Sequence, residues 1–219
     1  MHLEAHAGLG WTLGVLAPKS EPRLRAWAFA AAILPDVDAI AYLFGPVAYM
    51  NYHHTFGHNV FLGALVAAAA AASHPRRALA AVVTLLAFGS HLLADMKLSA
   101  YSVLLFWPVS RAAYEFTPNL GLGASINTSL VYASGVVVVA LAIWRKVTPL
   151  ELISPRLDRI VVNVFRKKRL LCSTCGRACN ECCDGCSKAT CTRCAKVSAR
   201  FRINCPSCER RSRATAATA

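Results

Sequence analysis

Four short groups of histidine and aspartate interrupt an otherwise apolar stretch. They are His6; Asp36 and Asp38 in Leu-Pro-Asp-Val-Asp; His53, His54 and His58 in His-His-Thr-Phe-Gly-His-Asn; and His91 with Asp95. Charged and imidazole groups at membrane depth are costly and mark function. His54 and His58 stand four residues apart, as do His91 and Asp95, so on a helix each pair shares one face. If His53 is still in a loop, it remains available too. Imidazole with carboxylate is a borderline ligand set, suited to zinc, manganese or iron. Eight candidate ligands are enough for a two-metal site. A second chemistry follows downstream. All ten cysteines lie between Cys172 and Cys208, as the pairs Cys172/Cys175, Cys179/Cys182, Cys183/Cys186, Cys191/Cys194 and Cys205/Cys208. A Cys-x-x-Cys pair chelates one tetrahedral zinc, and a second pair completes it.

The elements that must position the first set are helices in a membrane. The chain is 56% hydrophobic and 16% charged, against roughly 45–50% and 25% in a soluble domain. Its mean hydropathy of +0.43 agrees. Stretches 60–72, 78–88 and 130–144 carry no charge and, with their flanks, reach the roughly 17–25 residues a span needs. They lack the polar stripe of a soluble helix. The pattern predicts helices over 3–17, 24–34 (stopped by Pro35), 55–73, 77–96 and 124–144. Between them fall a polar connector over 36–52, with a short helix at 39–44, and a second connector with Trp107-Pro108 and a glycine turn at 121–123. With His2, Glu4 and His6 where a basic segment should stand, no cleavable signal peptide is expected.

The expected architecture is therefore all-α: a polytopic bundle of four to five membrane helices, plus a small Cys-rich zinc-ribbon-like module. Residues 1–146 form the membrane domain, 147–169 an amphipathic linker or interfacial helix, 170–209 the zinc module and 210–219 a disordered tail.

The net charge of +13 is concentrated in three places before the tail: Lys19 with Arg23 and Arg25, Arg76 with Arg77, and Arg145 with Lys146. These fall at alternate ends of successive helices, hence on one side, which the positive-inside rule makes cytoplasmic. In an inner membrane the Cys-rich tail is then cytoplasmic. All four His/Asp groups lie together at the outward end. Each residue also has a plainer reading. Asp36 and Asp38 can cap a short helix, and Asp95 with Lys97 can be interface residues. Convergence of four segments on one level favours a site. His74 lies at the opposite, basic end and is not included.

Taken together, His6, Leu-Pro-Asp-x-Asp, the His53/His54/His58/Asn59 cluster, His91-x-x-x-Asp95 and Phe106-Trp107-Pro108 resemble the YdjM-type family of membrane-bound metal-dependent hydrolases, over about residues 1–146. That family commonly has His-Arg before the second histidine, and His54 stands where the arginine would be, so either His53 or His54 fills the ligand position. The hydrolase activity that the resemblance implies rests on a ligand set like that of phospholipase-type metalloenzymes. In such a site a metal lowers the pKa of water and polarises a phosphoryl or acyl oxygen. Asp38 or Asp95 would be the general base. A location at the lipid–water boundary suits a lipid or isoprenoid phosphate. Lys97 and Arg111, on the same side, either meet that phosphate or are exposed loop charges.

About two zinc ions are expected in the tail, leaving one cysteine pair over. With few apolar residues there, metal binding and folding are coupled. Disulfides are the rival, disfavoured in the cytoplasm, and an iron–sulfur cluster is a third option. Lys188, Arg193, Lys196, Arg200, Arg202, Arg210 and Arg211 suit nucleic-acid phosphates, but Phe201 is the sole aromatic nearby, so a protein-binding role stands equally. Two other classes compete for the whole chain: a membrane metal transporter or sensor, and a membrane-anchored nucleic-acid or protein binder. Sparse polar residues toward the cytoplasmic end argue against the first, and the His/Asp convergence against the second.

Overall fold

The computed structural model describes residues 2–99, 101–116, 124–164, 170–175, 178–179, 183, 190, 194, 196–197 and 203–206. The chain forms two compact units, Met1–Arg145 and Lys146–Ala219. The first is helical: α1 (Leu3–Leu16), α2 (Pro22–Ile33), a 3-10 segment (Leu34–Phe44), α3 (Pro46–Tyr52), α4 (Val60–Ser73), α5 (Arg77–Leu98) and α6 (Ala124–Arg145). Three helical stretches, Pro22–Phe44, Arg77–Leu98 and Ser125–Arg145, are long and apolar enough to cross a membrane, and Val60–Ser73 is a shorter apolar helix. Large apolar side chains such as Leu65, Leu86 and Val136 face outward. In water such a surface would be a liability; against hydrocarbon it is the proper covering.

The helix expected to stop at Pro35 does not release the chain there. Proline has no N–H and clashes with the preceding turn, which ends the α-type bonding. Its fixed φ also suits the first turn of a new helix, so the path continues as a 3-10 helix through Asp36 and Asp38. What the sequence suggested was a connector over 36–52 is thus helical for most of its length, broken by Gly45 at φ +102°. The opposite correction applies to 55–59. That segment is not the start of α4 but a loop, closed by Asn59, whose side chain accepts a hydrogen bond from the Leu62 N–H at 2.9 Å. This is a standard N-cap.

Small residues let the helices meet closely. A Cβ on Gly10 would fall 2.4 Å from the Ala32 Cβ, and one on Gly14 would fall 2.8 Å from the Arg25 Cα. Gly10-x-x-x-Gly14 therefore seats α1 directly on α2, by the small-residue packing usual between membrane helices. Gly63 does the same for α4 against Phe88 of α5, with a notional Cβ 2.8 Å away. Leu24, Ala28, Val83, Ala87 and Leu92 fill the space between α2 and α5.

One end of the bundle is tied by its basic residues. Arg76 donates to the Lys19 carbonyl at 3.1 Å, Arg23 to the Ser73 carbonyl at 2.9 Å, and Arg145 to the Val15 carbonyl at 3.3 Å. His74 pairs there with Glu21. His6, Asp36, His58 and His91 meet at the other end.

In the second unit, a short 3-10 turn (Pro149–Leu152) and α7 (Pro155–Val164) follow Thr148, whose N–H donates to Asp158 at 2.6 Å. Two small antiparallel pairs follow, β1 (Leu170–Leu171) with β2 (Ala178–Cys179) and β3 (Lys196–Val197) with β4 (Ile203–Asn204). The turn expected at 121–123 and the tail at 210–219 lie outside the described residues.

Candidate metal centre

Five segments deliver the site. α1 brings His6 near its start, and the 3-10 segment brings Asp36 and Asp38. The 53–59 loop carries His53, His54 and His58, and α5 presents His91 and Asp95 one turn apart. Segment 101–116 backs the loop. The Leu104 N–H donates to the His54 carbonyl at 3.1 Å and the Val60 N–H to the Leu105 carbonyl at 2.9 Å. His54 takes a left-handed backbone, φ +67°, a conformation uncommon outside glycine.

Hydrogen-bond chemistry fixes how the imidazoles point. His91 Nδ1 lies 2.6 Å from the Ala32 carbonyl, His54 Nδ1 3.2 Å from the Tyr101 carbonyl, and His58 Nδ1 2.9 Å from Asp38 Oδ2. A carbonyl or carboxylate oxygen only accepts, so each Nδ1 carries hydrogen and each neutral ring has its lone pair on Nε2. Those three Nε2 atoms converge on Asp95 Oδ2, at 3.1 Å from His91, 3.3 Å from His58 and 3.6 Å from His54. The His58 and His91 Nε2 atoms are 3.1 Å apart, and Asp36 Oδ1 is 3.7 Å from both. Electron-rich atoms so arranged repel one another unless a positive charge sits among them. Ligands about 2.0–2.2 Å from a tetrahedral zinc are roughly 3.3–3.6 Å from each other, close to these spacings. Asp36, His58, His91 and Asp95 thus form a group able to hold a metal ion.

The remaining groups brace this one. His6 Nε2 is 3.2 Å from Asp95 Oδ1, and its ring stacks on His91 at 3.6 Å. Asp38 is fully engaged: Oδ1 accepts from His53 Nδ1 at 2.7 Å, and Oδ2 from His58, the Thr55 N–H at 3.1 Å and the Gly57 N–H at 3.4 Å. Asp38, His53 and His58 are a second group with atoms close enough for an ion. His6, His54, His58, His91, Asp38 and Asp95 are all buried. The side chains of Asp36 and His53 are 17% and 10% exposed, so they mark the mouth. There His53 stacks on Tyr49 at 4.5 Å.

Burial pushes the His54 imidazole down to about 3, aided by nearby His58 against the pull of Asp95, so it stays neutral at physiological pH, the form a metal takes. Burial also works against charge on His58, but Asp38 and Asp95 outweigh it and hold the ring up at about 9. The second His58 proton would sit on Nε2, among the same atoms that face the metal position. Proton and cation therefore compete for one place. Metal binding below pH 9 is expected to release one proton, and apparent affinity to fall about tenfold for each unit of acidification. Calorimetric titration in buffers of differing ionisation enthalpy reads that proton directly; uptake with no proton release would refute the competition.

All eight His and Asp residues singled out in the membrane half meet within this one cluster. Arg111 is exposed, and Lys97 is half-buried two residues past Asp95. The sequence pattern did not point to the Ala32 and Tyr101 carbonyls, which are backbone atoms with no residue signature. Gly57 was also missed, although a glycine inside His-His-Thr-Phe-Gly-His was a visible clue. In the second unit Cys172, Cys175 and Cys194 form a third group able to hold a metal. Cys182, Cys186, Cys191 and Cys208 lie outside the described residues.

Apolar spans joined to a buried His/Asp cluster define a helical membrane protein with a candidate metal centre. The YdjM inner membrane protein family model matches residues 1–157, and the chain belongs to that family. The match runs through the last span and into α7, and the Cys-rich tail lies beyond it. Neither the curated proteins nor the solved structures include a match to this chain.

Proposed function

We propose that the membrane unit is a metal-dependent hydrolase acting on a phosphate or ester bond of a lipid-like substrate. The observation that carries this reading is the convergence of the His54, His58 and His91 Nε2 atoms on Asp95, with Asp36 close to the last two. A divalent cation bound there, zinc or manganese, would supply Lewis-acid chemistry, lowering the pKa of water toward neutrality and polarising a phosphoryl or acyl oxygen. Asp36, His58, His91 and Asp95 would hold the ion, with His54 adjacent and His6 steadying Asp95. Asp38 orients His58 and His53 in the manner of an outer carboxylate. With Asp38 so engaged, His53 at the mouth is the better group to receive or return a proton, its Nδ1–H anchored on Asp38. The 3-10 segment that carries Asp36 and the helix α3 that carries Tyr49, on which His53 stacks, expose Tyr42, Leu43, Phe44, Val47 and Met50, which suit an acyl or isoprenoid chain.

By the positive-inside rule, the basic end faces the cytoplasm and the site faces the outer side. α1 and α4 then join the three long spans as membrane helices, giving five. The Cys-rich tail is cytoplasmic and folds around zinc as a ribbon-like module.

The test is a panel of phosphate and ester lipids offered to the purified full-length protein in detergent, with and without chelator. Turnover that a chelator abolishes and zinc or manganese restores is the expected result. No turnover across the panel, with cation accumulating inside reconstituted vesicles, would replace the hydrolase with a transporter.

A further inference from the structure

The cysteines of the second unit carry an assignment that spacing alone leaves open. Five pairs allow many ways of sharing two ions. The sequential one takes neighbours: Cys172/Cys175 with Cys179/Cys182, then Cys183/Cys186 with Cys191/Cys194. The structure selects another order.

Ligand atoms of Cys172, Cys175 and Cys194 lie within 4.8 Å of one another. Thiolates on one zinc, with bonds of about 2.3 Å, are roughly 3.8 Å apart. Cys172 and Cys175 form the turn between β1 and β2, and Cys194 precedes β3 from almost twenty residues away. Cys183 belongs elsewhere: its Sγ accepts the Cys205 N–H at 3.1 Å. An ionised sulfur suits so short a contact better than a thiol does, and the contact sets Cys183 beside Cys205. Cys172, Cys183 and Cys205 are buried. None of Cys172, Cys175, Cys183, Cys194 and Cys205 is in a disulfide. Buried, unbridged sulfur of this kind fits a module that folds around metal.

The β3–β4 hairpin lies between Cys194 and Cys205 along the chain. Cys183 and Cys205 are not among the ligand atoms gathered with Cys172, Cys175 and Cys194, so the two sets stand apart.

We propose that the tail holds two zinc ions in interleaved order, the first on Cys172, Cys175 and Cys194, the second on Cys183 and Cys205. The inference rests on the reading of the tail as a zinc module. Cys-x-x-Cys spacing makes Cys191, Cys186 and Cys208 the sequence candidates to complete the two sets. Read along the chain, the ions alternate, so each closes a loop through the other and neither half of the tail folds alone.

The test uses the full-length protein in detergent. Zinc is partly withdrawn with a chelator, exposed thiols are labelled with N-ethylmaleimide, and labelled positions are read by peptide mass spectrometry. Cys172, Cys175 and Cys194 should gain label together, and Cys183 with Cys205 as a separate set. Cys194→Ser should speed labelling of Cys172 and Cys175 at least tenfold, and Cys205→Ser that of Cys183. Co-labelling of Cys172 with Cys179, or of Cys183 with Cys194, would overturn the interleaving while leaving zinc in place. Cobalt(II) added to the same protein separates the deeper failure. Absence of thiolate-to-metal charge-transfer absorption would mean the tail is no thiolate centre, and both readings would fall.

Discussion

Asp95→Ala is expected to strip the membrane unit of its cation and abolish turnover. Asp95 is the one carboxylate on which the whole cluster bears, with His6 on Oδ1 and His54, His58 and His91 around Oδ2. Removing it leaves four buried imidazoles with Asp36 as the remaining nearby anion at the ion position. Asp95→Asn preserves shape while removing the charge, and should lose the metal as well. Asp38→Asn provides the scale. It acts through His58 and His53, and loss of such an outer partner costs about 10–100-fold in metal affinity or activity. The Asp95 variants must exceed that. Elemental analysis alongside a lipid-hydrolysis assay decides the ranking. Equal losses at the two positions would make Asp38 a direct ligand, and an unchanged metal content in Asp95→Ala would end the assignment.

Gly57→Ala is expected to do comparable damage without touching a charged group. A Cβ at this position would lie 1.9 Å from the Pro35 carbonyl oxygen and 3.2 Å from Asp38 Oδ2. The nearest obstacle is backbone, which cannot swing aside as a side-chain tip can. The 53–59 loop must lift away from the 3-10 segment, drawing the Thr55 and Gly57 N–H groups from Asp38 and His58 from Asp95. Overpacking of this kind costs on the order of 1–3 kcal/mol or more. Metal affinity should fall at least as far as for Asp38→Asn, with a lowered unfolding temperature in detergent. Gly45→Ala is the control. A Cβ there meets nothing within 4 Å, although φ +102° strains any side chain, so it should lose stability yet keep its metal. A Gly57→Ala protein with full metal content would show that the loop does not set the site.

Much of this arrangement was legible in the residues. The apolar runs gave the helices, because a membrane span announces itself by composition over its whole length. The His/Asp groups stood out because they are expensive in such surroundings. The details that escaped were set by tertiary contact. Pro35 reads as a stop, yet it restarts the chain as a 3-10 helix, since the fixed proline φ serves either end of a helical segment. His54 and His58 share a face only if they are helical. They lie instead in a loop, and their Nε2 atoms meet because the backbone at His54 turns left-handed. The choice between orienting and coordinating carboxylates was not readable either. Asp36 and Asp38 differ by two positions in sequence, and only the placement of Thr55, Gly57 and His53 around Asp38 separates their roles. In the tail, equal Cys-x-x-Cys spacings carry no information about partners, and the gathering of Cys194 with Cys172 and Cys175 does.

The length of α4 reaches beyond the protein itself. Its 14 residues rise about 21 Å, against a hydrocarbon thickness of about 30 Å. If α4 crosses the membrane as proposed, with Ser73 at the basic end, Asn59 would stop well short of the far leaflet's surface. Lipid beside α4 would have to dimple to meet it, a deformation that costs fractions of a kcal/mol per ångström. The headgroups nearest the mouth would then be drawn down toward Asp36. Acyl-chain length should accordingly tune the proposed hydrolysis. Reconstitution into thin, short-chain vesicles should raise turnover over thick ones, and a rate indifferent to thickness would show that substrate arrives by another route.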